Sequence, residues 1–60
     1  MLFRVCRQGA VTRWVVLLGD DLYGEYADKE QALLDAVDAA QDARDRGQEA
    51  EVWDQAAQIY

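Results

Sequence analysis

The stretch DKEQALLDAVDAAQDARDRG, residues 28–47, decides the fold because it specifies one long amphipathic helix. Asp28 is a preferred N-cap residue, and Gln31, three positions later, completes a capping-box pattern. The acids of this first turn also lie at the positive end of the helix dipole. Gly47 stands just beyond Arg46, at the position where a left-handed residue commonly ends a helix. We therefore predict a helix from Asp28 to about Arg46.

One face of this predicted helix is apolar and rich in alanine. Its residues recur at three- and four-residue spacing, and the stripe consists of Leu33, Ala36, Val37, Ala40 and Ala43. Ala32 and Ala39 lie at its margin. Side chains this small let a helix lie close to a sheet, so the bulk of the core must come from the strands. Leu34 falls outside the stripe, and we expect it to be exposed.

The same helix carries a second periodic set of side chains, which we call the carboxylate ladder: Asp35, Asp38, Asp42 and Asp45. We expect it on the face opposite the apolar stripe. One interpretation is a solvated face, with the repulsion partly offset by pairing of Asp42 with Arg46. The other is an acidic recognition face, through which the chain would act as a decoy or inhibitor of a basic, nucleic-acid-binding protein. A calcium-type metal site is disfavoured, because a straight helix cannot wrap six or more oxygens around one ion.

Two strands precede the helix and pair as a hairpin. Residues 2–7 and 12–18 are rich in β-branched and aromatic types and flank a turn signal at Gly9. A turn centred on Gly9 and Ala10 would leave one side of the ribbon apolar and aromatic, facing the helix. The expected cross-strand pairs are Phe3 with Val16, Val5 with Trp14 and Arg7 with Thr12.

A third strand follows the turn at residues 19–21. A three-residue loop would align Leu22 with Leu18 and Tyr26 with Trp14 on the helix side, whereas a two-residue loop would reverse the two faces. Both registers remain open from the sequence.

A fourth strand follows the helix, over residues 50–54, with Val52 and Trp53 on opposite sides. Residues 58–60 offer a fifth. A right-handed crossover places the fourth strand parallel to the first, which gives the sheet order 3-2-1-4. We therefore predict an α+β fold, βββαβ with an optional C-terminal strand. The sheet is mostly antiparallel, one helix packs on one face, and residues 1–60 form a single domain.

The second face of this sheet has no predicted cover. It carries Leu2, Arg4, Cys6, Arg13, Val15 and Leu17. The continuous apolar run over residues 14–18 is typical of a strand buried on both faces, yet one helix covers only one. We expect a homodimer that buries Val15, Leu17 and Cys6, or that exchanges a strand or hairpin. Trp53 is the expected interface anchor, and Tyr60 is a second candidate.

Composition supports this expectation, because a 60-residue chain buries a modest share of its surface. Small domains gain stability from disulfides, metals or oligomerisation. Cys6 is the sole cysteine and there is no histidine, so an intrachain disulfide and the usual zinc and copper ligand sets are excluded. Serine is absent too, which removes the common hydrolytic triads. The sequence favours a noncatalytic chain without a cofactor.

Charge is divided unevenly along the chain, whose net charge is -6. Residues 1–19 hold arginines and no acid, whereas all twelve acids lie in residues 20–60. Such a balance disfavours direct binding to nucleic acid or anionic lipid and permits a basic protein partner. No apolar run approaches a membrane span, and the N-terminus lacks the pattern of a secretory signal. We expect a cytoplasmic location.

From residue 14 onward the chain resembles a family of short bacterial and phage proteins known as domain of unknown function 2188. The resemblance rests on WVV at residues 14–16, YADKEQA at 26–32 and EVW at 51–53. It implies the fold and a bacterial origin, but no activity and no site residues. The chain departs from the family in its first strand and in residues 54–59, where a glycine turn is expected.

The element order also resembles that of antitoxins with a truncated ribonuclease H fold, which makes an antitoxin-like regulator an alternative by analogy. Their proline-rich central motif has no counterpart in a chain without proline.

Overall fold

A five-stranded sheet with one helix on one of its faces makes up the fold, which a computed structural model describes over residues 1–9 and 13–60. The elements are β1 (Leu2–Arg7), β2 (Trp14–Leu18), β3 (Asp21–Tyr26), α1 (Lys29–Asp45), β4 (Glu51–Asp54) and β5 (Ala57–Gln58). The sheet order is β3-β2-β1-β4-β5, with β4 parallel to β1 and the other pairs antiparallel. The predicted α+β class, the strand order and the parallel pairing of β4 with β1 are confirmed, and the C-terminal strand is present.

The ends of α1 follow the capping chemistry of the sequence. Asp28 is the N-cap, and its Oδ1 accepts a hydrogen bond from the backbone N–H of Gln31 at 2.8 Å. At the other end Gly47 takes a φ of +83°, and the N–H of Gln48 donates to the carbonyl of Ala43 at 3.0 Å. This is a Schellman motif, which satisfies carbonyls that the helix end would leave unpaired.

The core lies between α1 and the sheet, and small helix side chains set its depth. The fully buried large side chains all come from strands: Phe3, Val5, Val16 and Val52. The helix contributes Ala32, Ala36, Ala40 and Ala43. The predicted stripe is therefore rotated, because Ala32 is central while Leu33 and Val37 are half-buried at its flank. Turning the smallest side chains to the sheet lets the helix approach closely. Leu34 is exposed, as predicted.

The β1–β2 register differs from the predicted one by two residues. The observed pairs are Phe3 with Leu18, Val5 with Val16 and Arg7 with Trp14. The N–H of Gln8 donates to the carbonyl of Arg13 at 2.9 Å, so the hairpin closes at a wider loop than a two-residue turn at Gly9. Ala10 and Thr12, on which that turn and one predicted pair depended, lie outside the described residues. A shift of two keeps every side chain on its predicted face.

The β2–β3 register begins as predicted and then shifts. Tyr26 lies opposite Trp14, which confirms one predicted pair, but Leu22 lies opposite Leu17 instead of Leu18. The ladder shifts between Val16 and Leu17, as it does at a β-bulge. Neither of the two registers left open holds along the whole strand, because Tyr26 lies on the helix side and Leu22 on the other side.

The bulge decides on which side of the sheet the neighbouring side chains of Leu22 and Tyr23 lie. Because Gly24 lies opposite Val16 and Leu22 opposite Leu17, the extra residue on β3 is Tyr23. The Tyr23 ring meets Phe3 of the covered core edge-on, with centroids 5.5 Å apart. Leu22 moves to the other side of the sheet and is 57% exposed. A single inserted residue thus adds a leucine to the uncovered face.

The β4–β5 hairpin closes through residues 55 and 56, with Trp53 opposite Gln58 and Asp54 opposite Ala57. Gln55 takes a φ of +57°, a left-handed conformation that glycine adopts most easily. The fifth strand therefore lies just before the predicted residues 58–60, sharing only Gln58 with them.

Candidate functional site

The sheet face away from α1 carries an apolar surface, which we call the open face. It consists of Leu2, Cys6, Val15, Leu17, Leu22 and Trp53. The one helix among the described residues packs on the opposite side, against Phe3, Val5, Val16 and Val52. Of the predicted interface residues, Val15, Leu17, Cys6 and Trp53 come together here.

Strand register arranges the open face in rows. One row crosses the whole sheet: Leu22, Leu17, Arg4, Trp53 and Gln58 are partners on successive strands. A second row holds Val15 opposite Cys6 on one side and Glu25 on the other. Because side chains in one row stand on the same face, these groups form one surface, which we call the strip and in which Arg4 lies between Leu17 and Trp53.

Exposure increases from the centre of the open face to its margins. Val15 is 7% exposed although it lies outside the core cluster under the helix. Cys6, Leu17 and Trp53 are half-buried, while Leu22 is exposed. The surface is therefore a shallow apolar strip whose large side chains remain accessible, which suits contact with another surface better than enclosure of a small molecule.

Charged side chains of both signs lie within this strip or at its border. Arg13 and Glu25 form an ion pair at 3.0 Å, and Arg4 donates to the carbonyl of Gly19 at 3.3 Å. Glu51 accepts a hydrogen bond from the Trp53 indole at 2.8 Å, which fixes the orientation of that ring. Two arginines and two glutamates leave the open face formally neutral, in a chain whose net charge is -6.

Tyr60, the fifth predicted interface residue, lies elsewhere. It packs against the core on the helix side, with the Arg44 guanidinium 4.1 Å from its ring centroid. Its carbonyl accepts a hydrogen bond from the N–H of Val52 at 3.3 Å. The prediction that Tyr60 shares an interface with Trp53 is not supported by this placement, because the chain turns back to the core after β5.

The carboxylate ladder remains one stripe along α1, but its predicted position opposite the core does not hold for Asp35, which is half-buried. Rotation of the alanines toward the sheet brings Asp35 to the flank near β3, where it is half-buried and accepts a hydrogen bond from Gln31 at 3.0 Å. Burial, and then interaction with Asp35, raises the pKa of Tyr26 to about 12. Asp45 is exposed on the outer surface.

Asp38 and Asp42 instead border a cavity of about 340 Å³ between α1 and the sheet, which we call the helix groove. Its apolar lining is Met1, Phe3, Leu18, Tyr23, Ala39 and Ala43, and its remaining polar lining is Arg46 and Gln48. Sequence reasoning missed this groove because the β-bulge turns Tyr23 toward it. A glycine within a strand pattern, here Gly24, is the available signal of such a bulge.

No known protein family, curated protein or solved structure matches this chain. The resemblance to domain of unknown function 2188 therefore stays a prediction. No helix in the described part of the chain is long and apolar enough to cross a membrane. Within residues 1–9 and 13–60, no group of three or more Cys, Asp or Glu side chains is placed to hold a metal ion.

Proposed function

We propose that this chain is a noncatalytic protein-interaction domain that forms a homodimer by packing the open faces of two copies together. The observation that carries the proposal is the row Leu22, Leu17, Arg4 and Trp53 across the sheet, over which no element of residues 1–9 and 13–60 packs. Large apolar side chains gain roughly 1.5–3 kcal/mol each when they are fully removed from water. A second copy is the partner for which the surface is best suited.

The shallow core supports a need for such an interface. Among the residues that the structure describes, five of the ten buried apolar ones are alanines, which bury little area. The cysteine has no partner within the chain, so no disulfide constrains the unfolded state. A chain of 60 residues with this core gains from any further burial.

Charge favours a second copy over other partners. Two chains with a net charge of -6 repel one another on most approaches, but the open face is neutral. A two-fold axis brings the same patch of each copy together, so Arg4 and Arg13 of one copy can lie near Glu25 and Glu51 of the other. A strongly basic or acidic partner would find no net charge on this face.

Face-to-face packing is better supported than pairing or exchange of edge strands. β3 is interrupted by its bulge and carries Asp21 and Glu25, and β5 is two residues long. Bulges, charged side chains and short edge strands all disfavour edge-to-edge pairing. Two sheets stacked about 10 Å apart would instead bury both open faces.

The area of the open face limits how strongly two copies can bind one another. With about 3.3 Å per residue and about 4.8 Å between strands, the five strands present roughly 360 Å² of flat sheet, to which side-chain relief adds. Stable interfaces commonly bury about 800 Å² per partner. We therefore expect a dimer of micromolar affinity, with Trp53 and Leu17 contributing most.

The free thiol of Cys6 indicates the cellular compartment in which we expect this chain to act. It is half-buried on the open face and unpaired within the chain. A free thiol at a proposed interface suits a reducing compartment, and we propose the cytoplasm.

Sedimentation equilibrium over a micromolar concentration series tests the dimer. We expect the unmodified chain to dimerise and Leu17→Asp to be monomeric, because a carboxylate in the interface would lose its hydration without a partner. Leu34→Asp is the matched control, since Leu34 is exposed on the outer side of α1, and it should dimerise normally. Circular dichroism establishes that each variant is folded. A folded, unmodified chain that stays monomeric throughout the series would refute the proposal.

A further inference from the structure

We propose that Arg4 fixes how the two copies of the dimer are arranged, by binding Glu51 and the Trp53 indole of the second copy. The inference rests on the proposed dimer and names the contact that holds two open faces in one arrangement. Arg4 and Trp53 are partners on the neighbouring strands β1 and β4. A contact between two different residues occurs twice about a two-fold axis, so each copy supplies one arginine and receives one.

Arg4 has no carboxylate partner in the described part of its own chain. Its guanidinium donates to the carbonyl of Gly19 at 3.3 Å, which is longer than most N–H···O hydrogen bonds. Gly19 follows β2, which lies on the opposite side of β1 from β4, so the side chain leans away from Trp53. None of the ion pairs among residues 1–9 and 13–60 includes Arg4 or Glu51.

Glu51 and Trp53 together form a site suited to a guanidinium. Both lie on the open face of β4, and the indole N–H of Trp53 donates to Glu51 Oε1 at 2.8 Å, which holds ring and carboxylate beside each other. A guanidinium stacks on aromatic faces and pairs with carboxylates through parallel N–H donors. The cations that lie over aromatic rings in the described residues are at Trp14 and Tyr60, and none lies over Trp53.

Burial in the dimer gives Arg4 a need for this site. Packing of two open faces removes water from Arg4, because it lies on the central strand in the row that crosses the sheet. A charge removed from water is costly unless an opposite charge and hydrogen bonds replace the water. Of the two glutamates of the open face, Glu25 already pairs with Arg13 at 3.0 Å. Glu51 is the glutamate left for Arg4.

An offset of one strand between the stacked sheets satisfies both copies at once. Strands lie about 4.8 Å apart, and a two-fold axis along the strands, between β1 and β4, places each of these two strands over the other in the second copy. Arg4 of each copy then stands over Trp53 of the other, with Glu51 two residues away on the same strand. An arginine is long enough to reach across sheets that stack about 10 Å apart.

A reciprocal charge swap tests the contact. Arg4→Glu and Glu51→Arg should each weaken self-association by about thirtyfold or more, because like charges then meet at both contacts of the dimer. An equimolar mixture of the two variants should recover about tenfold or more of that loss, because opposite charges again meet at both contacts. Sedimentation equilibrium measures the affinities, and native mass spectrometry distinguishes mixed from unmixed dimers.

Arg46→Glu is the matched control, because it makes the same charge change as Arg4→Glu on an exposed side chain outside the open face. It should weaken self-association by less than about threefold, and it should form no preferred mixed dimer with Glu51→Arg. If Arg4→Glu associates as tightly as Arg46→Glu, or if the mixture does not recover the dimer, the contact is refuted while the dimer stands. An unmodified chain that stays monomeric refutes both proposals.

Arg4→Lys provides a test if circular dichroism shows that a swapped variant is unfolded. Lysine keeps the charge but lacks the planar guanidinium that stacks on an indole and donates two parallel hydrogen bonds. We expect self-association to weaken by about threefold to tenfold. An affinity equal to that of the unmodified chain would overturn the assigned contact.

Discussion

The two faces of the sheet differ most clearly at two adjacent valines of β2. Val16 is 0% exposed and belongs to the core under the helix, whereas Val15 is 7% exposed and lies outside that core. Val16 is buried by packing against a separate element, whereas Val15 is buried among its neighbours in the sheet. The covered face therefore depends on how closely α1 approaches, and the open face depends on strand register and on what else covers it.

The largest expected effect comes from Phe3 on the covered face, which is compared with its neighbour Leu2 on the open face of β1. Phe3→Ala should lower the free energy of unfolding by about 3–5 kcal/mol, because it opens a cavity under the helix and removes the contact with Tyr23. Leu2→Ala, on the open face, should cost less than about 1 kcal/mol in the monomer. Urea unfolding at submicromolar concentration measures both. Similar losses for the two variants would remove the distinction between the faces.

An intermediate effect tests how closely α1 lies against the sheet. Ala40 is fully buried, so Ala40→Leu should destabilise the fold by about 1–3 kcal/mol through overpacking. Gln41→Leu introduces the same side chain at the adjacent, exposed position and should change stability by less than about 0.5 kcal/mol. Thermal unfolding compares the two. If Ala40→Leu left the stability unchanged, the space between α1 and the sheet would be large enough for a leucine side chain.

The smallest expected effect is a pH dependence of stability that comes from Tyr26, on β3 at the edge of the covered face. The pKa of Tyr26 is raised from 10.0 to about 12, so its ionisation opposes folding. Its contribution to stability is complete below pH 10 and is lost as the pH rises through about 12. After discount for solvent screening, we expect the loss to be below about 1 kcal/mol.

Tyr26→Phe should abolish that part of the pH dependence, while the other ionisable groups are unchanged. The difference in unfolding free energy between the two chains, followed from pH 9 to about 12, is the measurement. A difference that stays constant across this range would contradict the assigned environment of Tyr26.

The helix and its ends could be predicted because their signals are local. Asp28 and Gly47 act within a few residues of themselves, and the structure confirms both. Strand order followed from the handedness of one crossover. The conformation of Gln55 could not be predicted from local signals. The hairpin imposes its φ of +57°, and glutamine has no preference for a left-handed conformation.

The open face could be predicted only in part. Alternation along β1 and β2 is sufficient to place Cys6, Val15 and Leu17, since a two-residue register shift preserves faces. The face of Leu22 stayed open because a bulge reverses the alternation, and a bulge depends on pairing across strands rather than on local sequence. Tyr60 lies on the helix side in contact with Arg44, and local sequence does not specify such a tertiary contact.

The most direct test of the central claim is an isotope-filtered NOE experiment on a mixed sample of labelled and unlabelled chains at concentrations where the dimer forms. We expect contacts between copies from Leu17, Leu22 and the Trp53 indole, and none from Val16 or Phe3. Contacts between copies that arise only from the β3 edge or from α1 would contradict face-to-face packing, as would a sample that remains monomeric.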